Sequence, residues 1–261
     1  MLDQVTPLIL TFNEAPNIGR SLDCLGWAKR IVIVDSDSAD ETEAIAKRYP
    51  NVDFVRRRFD THADQWNFGL RETGIDTDWV LALDADFMLP PAFVDELRRL
   101  SPAPEVEGYR ARFRYCIEGE PLRGGLYPPV TVLFRRSGAR YVQDGHTQRV
   151  QLAGRIETFA LPLLHDDRKS LSRWFASQIG YMRQEAALLA DTPAARLRLP
   201  DRIRRLVVVA PALVFLYCLV VKGNLLDGRR GIFYAMQRAV AEVVLSAFLA
   251  EAEIRKRRAK A

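Results

Sequence analysis

Over the first hundred residues, apolar positions alternate between two spacings. Val5 to Phe12, Ile31 to Val34, Val52 to Arg57 and Trp79 to Leu83 are short apolar runs that predict strands. Between them, Asn17 to Leu25, Asp40 to Arg48 and His62 to Thr73 carry helical spacing. Such alternation with short connections predicts an α/β arrangement, a parallel sheet with helices on both faces. From Gly108 to Leu164 the pattern turns β-like. Tyr109, Ala111, Phe113, Tyr115 and Ile117 alternate with Arg110, Arg112 and Arg114, predicting one half-buried strand with a basic outer face, and Val130 to Phe134 predicts another. A helix is expected from about Ser170. Beyond it lie an uncharged run of 16 residues, Leu206 to Val221, and a second apolar helix, Ile232 to Leu249.

The strand ends carry the chemistry. In W-V-L-A-L-D-A-D-F, Trp79 to Phe87, a buried strand surfaces directly into Asp84 and Asp86. Ligands of open α/β sheets bind at the carboxyl ends of strands. Two carboxylates at i and i+2 can share a hard divalent cation that bridges to phosphate oxygens, so a metal-diphosphate site is expected here. The first strand ends in Thr11-Phe12-Asn13-Glu14 and the second in Asp35-Ser36-Asp37-Ser38-Ala39-Asp40. Asn13 and Asp40 could also serve only as helix caps. No G-x-G-x-x-G follows the first strand and there is no Walker A loop, which disfavours a dinucleotide-binding Rossmann domain and a P-loop enzyme.

A hydrophobic content of 48% in 261 residues supplies a core, and disorder is not expected. Cys24, Cys116 and Cys218 are odd in number and far apart, and read as buried thiols in a reducing compartment. No basic-then-apolar leader opens the chain, so a cytoplasmic catalytic part is expected. The net charge of +5 divides unevenly: from Arg168 onward 18 Lys and Arg face 7 Asp and Glu, a balance of +11, against −6 before it. The basic residues flank apolar runs and belong to no nucleic-acid module, so nucleic acid is not the expected partner. Leu206 to Val221 would span roughly 24 Å as a helix, short of the roughly 30 Å hydrocarbon core, and Pro211 is expected to kink it. Arg202, Arg204, Arg205 and Lys222 flank that run, Arg238 and Glu242 interrupt the next helix, and Arg255-Lys256-Arg257-Arg258 follow. These features predict interfacial or re-entrant helices on an anionic membrane surface rather than a crossing; packing against each other or a partner chain is the alternative.

Four stretches taken together, T-F-N-E-A-P-N-I, I-V-D-S-D-S-A-D-E-T, Q-W-N-F-G-L and W-V-L-A-L-D-A-D, resemble the family-two glycosyltransferases, in particular the subgroup that elongates lipopolysaccharide cores. The resemblance is strong over residues 5–100 and looser to about 175. It implies a GT-A fold: a Rossmann-like nucleotide-sugar-binding domain with a central mixed sheet over residues 1–168, with 1–100 on the donor side and 101–168 on the acceptor side. A helical, membrane-associated extension would follow over 169–261. It further implies donor contacts from Thr11, Asn13, Glu14, Asp35, Ser36 and Asp84, with Glu14 and Asp35 on base and ribose and Asp84 on ribose. Asp86 would hold Mn²⁺ or Mg²⁺ against the diphosphate, and His165 would be a further metal ligand. Arg168 and Lys169 would clamp phosphate oxygens, unless Leu161 to Lys169 is merely a polar loop before a helix. Asn67 either lines the donor pocket or is a helix-surface amide. A general base is needed for inversion; Asp144 is the first candidate and His146 the second, with an Asp144-Gly145 hairpin turn as the other reading.

The implied activity is inverting transfer of a sugar from a nucleotide-diphosphate donor, with UDP-sugar the expected one, to a lipid-linked or lipopolysaccharide acceptor. The setting would be peripheral, on the cytoplasmic face of the inner membrane; oligomeric state is left open. Two other readings stand beside it, a catalytically inactive membrane-bound module and a phosphotransferase using the Asp-x-Asp triplet. Haloacid-dehalogenase phosphotransferases place that triplet on the first strand, whereas here it ends the fourth and is followed by Phe87. The chain also departs from the resembled pattern at Ser36, Asp37 and Phe87.

Overall fold

The computed structural model describes residues 1–144 and 147–258. It divides into two compact units, one of Met1–Pro121 with Tyr127–Lys169, the other of Leu122–Leu126 with the chain from Ser170 onward.

The first unit opens with β1 (Val5–Thr11), α1 (Ile18–Asp23), β2 (Ile31–Asp35), α2 (Thr42–Ala46), β3 (Val52–Arg56), α3 (His62–Glu72) and β4 (Trp79–Asp84). There follow β5 (Phe87–Met88), α4 (Pro91–Arg99), β6 (Val106–Ala111), β7 (Phe113–Ile117), β8 (Glu120–Pro121), β9 (Val130–Arg135), β10 (Arg140–Asp144), β11 (Thr147–Gln151), β12 (Arg155–Thr158) and β13 (Leu163–His165). The main sheet has seven strands in the order β12-β6-β9-β4-β1-β2-β3. β1 runs parallel to both β2 and β4, whereas β9 runs antiparallel to β4 and β6, so the sheet is mixed.

The sequence pattern explains the layers. Along β2, Ile31 and Ile33 enter one core while Val32 and Val34 enter the other, and Leu81 and Leu83 alternate likewise with Val80 and Ala82. Runs buried on both faces belong to central strands. Ile18 and Leu22 of α1, Ala46 of α2 and Phe93 and Leu97 of α4 cover one face, while Trp66 and Leu70 of α3 with Tyr141 and Val150 of the β10–β11 ribbon cover the other. α3 sits so close to β1 that a Cβ on Gly69 would lie 2.8 Å from Leu8 Cδ1.

Two expectations need correction here. Tyr109 to Ile117 is not one strand: β6 ends at Ala111 within the main sheet, and β7 belongs to a second sheet of order β5-β13-β7-β8. The arginines do face outward, as the alternation predicts, but hydrogen bonding divides the run. The carbonyl of Arg110 accepts from Phe159 N and that of Arg112 from Leu163 N, so the chain passes from one sheet to the other at Arg112. Of the cysteines, Cys116 and Cys218 are buried but Cys24 is partly exposed.

The second unit is helical: α5 (Leu171–Asp191), α6 (Leu199–Arg204), α7 (Val209–Leu216, continued by a wider turn over Tyr217–Val221) and α8 (Gly228–Arg258). Leu206 to Val221 is thus not a single kinked helix. Pro211 lies in the first turn of α7, where a missing N–H costs no helical hydrogen bond. Ile232 to Leu249 is the middle of the much longer α8. A half-buried Arg204 binds Glu185 at 2.7 Å and Glu242 at 3.1 Å, tying α5, α6 and α8 together.

Candidate functional site

The carboxyl ends of β1 and β2 are joined by side chains. Thr11 Oγ1 donates to Asp35 Oδ2 at 2.6 Å, and Ser38 donates to both Asp35 oxygens, from N at 2.8 Å and from Oγ at 2.6 Å. Ser38 Oγ also accepts from Asn13 N at 2.6 Å, Asn13 Oδ1 accepts from Ala39 N at 2.8 Å, and Glu14 N donates to Thr42 Oγ1 at 2.7 Å. Asn13 and Asp37 adopt φ of 55° and 59°, left-handed backbone that Asn and Asp tolerate better than most residues. The rim is therefore held in place before any ligand arrives.

The second half comes from β4 and β13. His165 pairs with Phe87 across β5 and β13, and Asp166 N donates to the carbonyl of Asp86 at 3.0 Å. This pairing closes a gap of 79 positions and leaves His165 Nε2 3.2 Å from Asp86 Oδ2. The imidazole is boxed by Tyr127, Tyr115 and Phe87, with ring centroids at 4.8, 4.9 and 5.4 Å. Lys169 Nζ reaches Glu14 Oε1 at 2.7 Å and Asp167 Oδ1 at 3.6 Å.

Glu14, Asp84, Asp86, His165 and Lys169 act on one another electrostatically. Burial raises the Glu14 carboxyl; Lys169 opposes the shift and Asp86 reinforces it. Asp84 is raised well above the ordinary carboxylate range, first by desolvation and then by Asp86. For Asp86, burial is outweighed by the charge and hydrogen bond of His165 and by Lys169, so its carboxyl is lowered. His165 is the mirror case: burial disfavours its cation, yet Asp86 and Asp84 raise it. Lys169 is raised in the same way by Glu14 and Asp86 against desolvation.

Asp86 Oδ1 and His165 Nδ1 are buried without a hydrogen-bond partner. Among the described residues, no three His, Cys, Asp or Glu side chains are grouped to hold a metal unaided. One carboxylate with an unmatched oxygen and one imidazole fit a divalent ion that takes its remaining ligands from a diphosphate and water.

The structure redistributes several expected roles. Arg168 does not point a free guanidinium at a phosphate: its Nε binds both Asp166 oxygens at 3.0 Å and its Nη1 binds Glu118 at 2.8 Å. Asn67, expected in the donor pocket or on the helix surface, donates to the Tyr141 carbonyl and accepts from the Tyr141 N–H, both at 2.9 Å, clamping α3 to β10. Asp35 is fully buried with both oxygens engaged, so it positions the rim. Ser36 Oγ accepts from Gln65 Nε2 at 2.8 Å. Asp144 closes β10, its backbone paired with Thr147, while Gly145 and His146 lie outside the described residues.

Sequence reasoning missed three groups. Asp166, 4% exposed, is the hub that receives Arg20 at 2.6 Å, Arg168 and the Gly119 N–H at 3.1 Å. Gln65 is fully buried and bonded to Ser36 and Arg57, and Asn17 bridges Glu14 and Asp167. A polar residue inside the apolar-periodic helix at Gln65 was the one available sign; Asp166 had none, because Arg20 and the Gly119 N–H reach it from distant elements.

Residues 8–161 match the family described as glycosyl transferase family 2. Among curated proteins, the chain is 31% identical over 139 residues to the lipopolysaccharide core biosynthesis glycosyltransferase LpsC of Rhizobium meliloti (strain 1021), covering 51% of this chain and 48% of that protein. It is 27% identical over 111 residues to an uncharacterized glycosyltransferase of Rickettsia felis, covering 42% of this chain and 38% of the relative. The chain thus spans about half or less of the length of these relatives. Among solved structures, S. aureus TarS 1-349 in complex with UDP-GlcNAc aligns with a TM-score of 0.50 at 13% identity, covering 96% of this chain and 91% of that one, a likeness of fold.

Proposed function

This chain belongs to glycosyl transferase family 2 and has the GT-A fold, and from that premise we propose that it moves a sugar from a UDP-sugar to a saccharide acceptor with inversion at the anomeric carbon. The observation that carries this reading is the convergence of Glu14, Asp84, Asp86, His165 and Lys169 at one rim, with Asp86 Oδ1 left unmatched. Asp86 and His165 would hold Mn²⁺ or Mg²⁺, which supplies Lewis-acid stabilisation of charge on the departing nucleoside diphosphate. Lys169 turns its ammonium from Glu14 to a phosphate oxygen as the donor binds, and the Thr11–Asp35–Ser38 staple holds the β1 and β2 ends against base and ribose. Asp144, with His146 as the second candidate, takes the proton of the attacking hydroxyl.

The likeness to LpsC supports a lipid-linked or lipopolysaccharide acceptor, and the bound UDP-GlcNAc of TarS supports uridine as the base. Such an acceptor places the enzyme at the cytoplasmic face of the inner membrane, held there peripherally by its basic helical unit through anionic lipids. In this reading the unit of Met1–Pro121 with Tyr127–Lys169 forms the transferase domain, one residue past the expected boundary at 168 and without Leu122–Leu126, and the chain from Ser170 onward belongs to the membrane-associated extension.

The test is release of nucleoside diphosphate from UDP-, GDP-, CDP- and dTDP-sugars with Mn²⁺ or Mg²⁺. UDP release that requires a divalent ion and falls at least about 100-fold in Asp86→Ala is expected. Release that is indifferent to metal and to Asp86, or absent with every donor, overturns the proposal; complete absence would favour an inactive module.

A further inference from the structure

The helical unit presents an apolar surface that its own helices leave bare. Leu213, Leu216 and Val220 recur at helical spacing along α7 and its extension and are 44, 55 and 68% exposed. Leu226 in the following turn is 72% exposed, and Phe233 and Met236 continue the same spacing onto α8 at 38 and 53%. The opposite sides of the two helices are packed: Ala210 and Cys218 of α7, and Tyr234, Ala235 and Leu245 of α8, are buried. Exposed apolar side chains repeated at this spacing along two helices point to an interaction site rather than ordinary surface scatter.

Charge identifies the occupant. From Arg168 onward the chain carries a balance of +11, and Lys222 and Arg229 stand beside the apolar turn while Arg255-Lys256-Arg257-Arg258 end α8. An apolar face bordered by cations complements an anionic bilayer, whose headgroups take the charges and whose acyl boundary takes the side chains. The run Asn224–Arg258 has the length and composition to cross a membrane, yet the two charges in its middle, Arg238 and Glu242, are held by partners within this unit. Glu242 binds Arg204, and Arg238 lies 5.7 Å from the Trp174 ring and 6.0 Å from that of Tyr234. Those partners sit on α5, α6 and α8 itself, and drawing α8 through lipid would strip them away.

We propose that α7, the Leu226 turn and the first half of α8 dock flat on an anionic phospholipid bilayer, with their exposed apolar stripe in the headgroup-acyl boundary. This deepens the membrane placement given under the functional reading and rests on it. The experiment mixes the full chain with vesicles of phosphatidylcholine alone or with phosphatidylglycerol and sediments them, for the wild type and for the triple variant Leu216→Asp, Leu226→Asp, Met236→Asp. Each of these positions is more than half exposed, so packing is preserved, and circular dichroism melts confirm it. The wild type binds phosphatidylglycerol vesicles at least about tenfold tighter than phosphatidylcholine ones, loses affinity as salt rises, and the variant loses at least about tenfold. Failure of the wild type to bind, or equal binding by the variant, overturns the proposal. So does a concentration-dependent dimer of the wild type that the variant abolishes, which would make this face a junction between copies. Metal-dependent UDP release, read on the same samples, separates the two readings: vesicle binding without it retains the docking face and removes the UDP-sugar proposal, and UDP release without vesicle binding does the reverse.

Discussion

Two adjacent cations, Arg168 and Lys169, give the sharpest test of the site. Lys169 and Glu14 are 2.7 Å apart with side chains 18 and 14% exposed. Removing one partner of a buried pair costs roughly 3–5 kcal/mol. In Lys169→Met, however, Glu14 keeps the Asn17 amide at 2.8 Å and, already raised by burial, takes up a proton instead of standing ionised, so the loss falls to about 2 kcal/mol. The same variant deprives the diphosphate of a charge-assisted hydrogen bond, about 1.5–3 kcal/mol, or about 10- to 150-fold weaker UDP binding. Arg168→Met behaves differently. It breaks the contacts to Asp166 and Glu118 while Arg20 still holds Asp166, so stability falls by about 1–2 kcal/mol and UDP affinity stays within about twofold. Urea unfolding reads the first quantity, and calorimetric titration of UDP with Mn²⁺ reads the second. Equal weakening of UDP by the two variants, or wild-type affinity in Lys169→Met, would refute the division of labour.

Asp144→Asn should lower sugar transfer by about 100-fold or more with UDP affinity unchanged, measured by product formation beside calorimetry; unchanged transfer would move the base elsewhere, His146 first. Asn67→Ala removes both contacts to the Tyr141 backbone and should cost about 2–3 kcal/mol in urea unfolding, with loss of transfer exceeding loss of donor binding because β10 carries Asp144. Gly119→Ala puts a side chain at a φ of 84°, with the Arg168 Nη2 lying 2.7 Å from the new Cβ able to swing aside, and the backbone strain should lower stability by about 1–3 kcal/mol in the same assay.

Local pattern was sufficient wherever the physics is local. Apolar runs such as Ile31 to Val34 and Val80 to Leu83 declare strands buried on both faces, because side chains alternate every two residues whatever lies beyond them. Polar clusters directly after those runs had to lie at the strand ends, so Thr11 to Glu14, Asp35 to Ser38 and Asp84 to Asp86 were readable as a rim, though not that Asp35 would be fully buried in it. Tertiary pairing decided the rest. His165 meets Asp86 only because β13 pairs with β5, and that same register hands Arg168 to Asp166 while sending Lys169 to Glu14. Neighbours in sequence with like charge are indistinguishable to a pattern, since the fold chooses the partner each meets: Lys169 reaches Glu14, 155 positions away, while Arg168 is held by Asp166 and by Glu118, 50 positions away. Asn67 and the break at Arg112 follow the same logic: backbone hydrogen-bonding groups must be satisfied, and which partner satisfies them is a property of the assembled sheets.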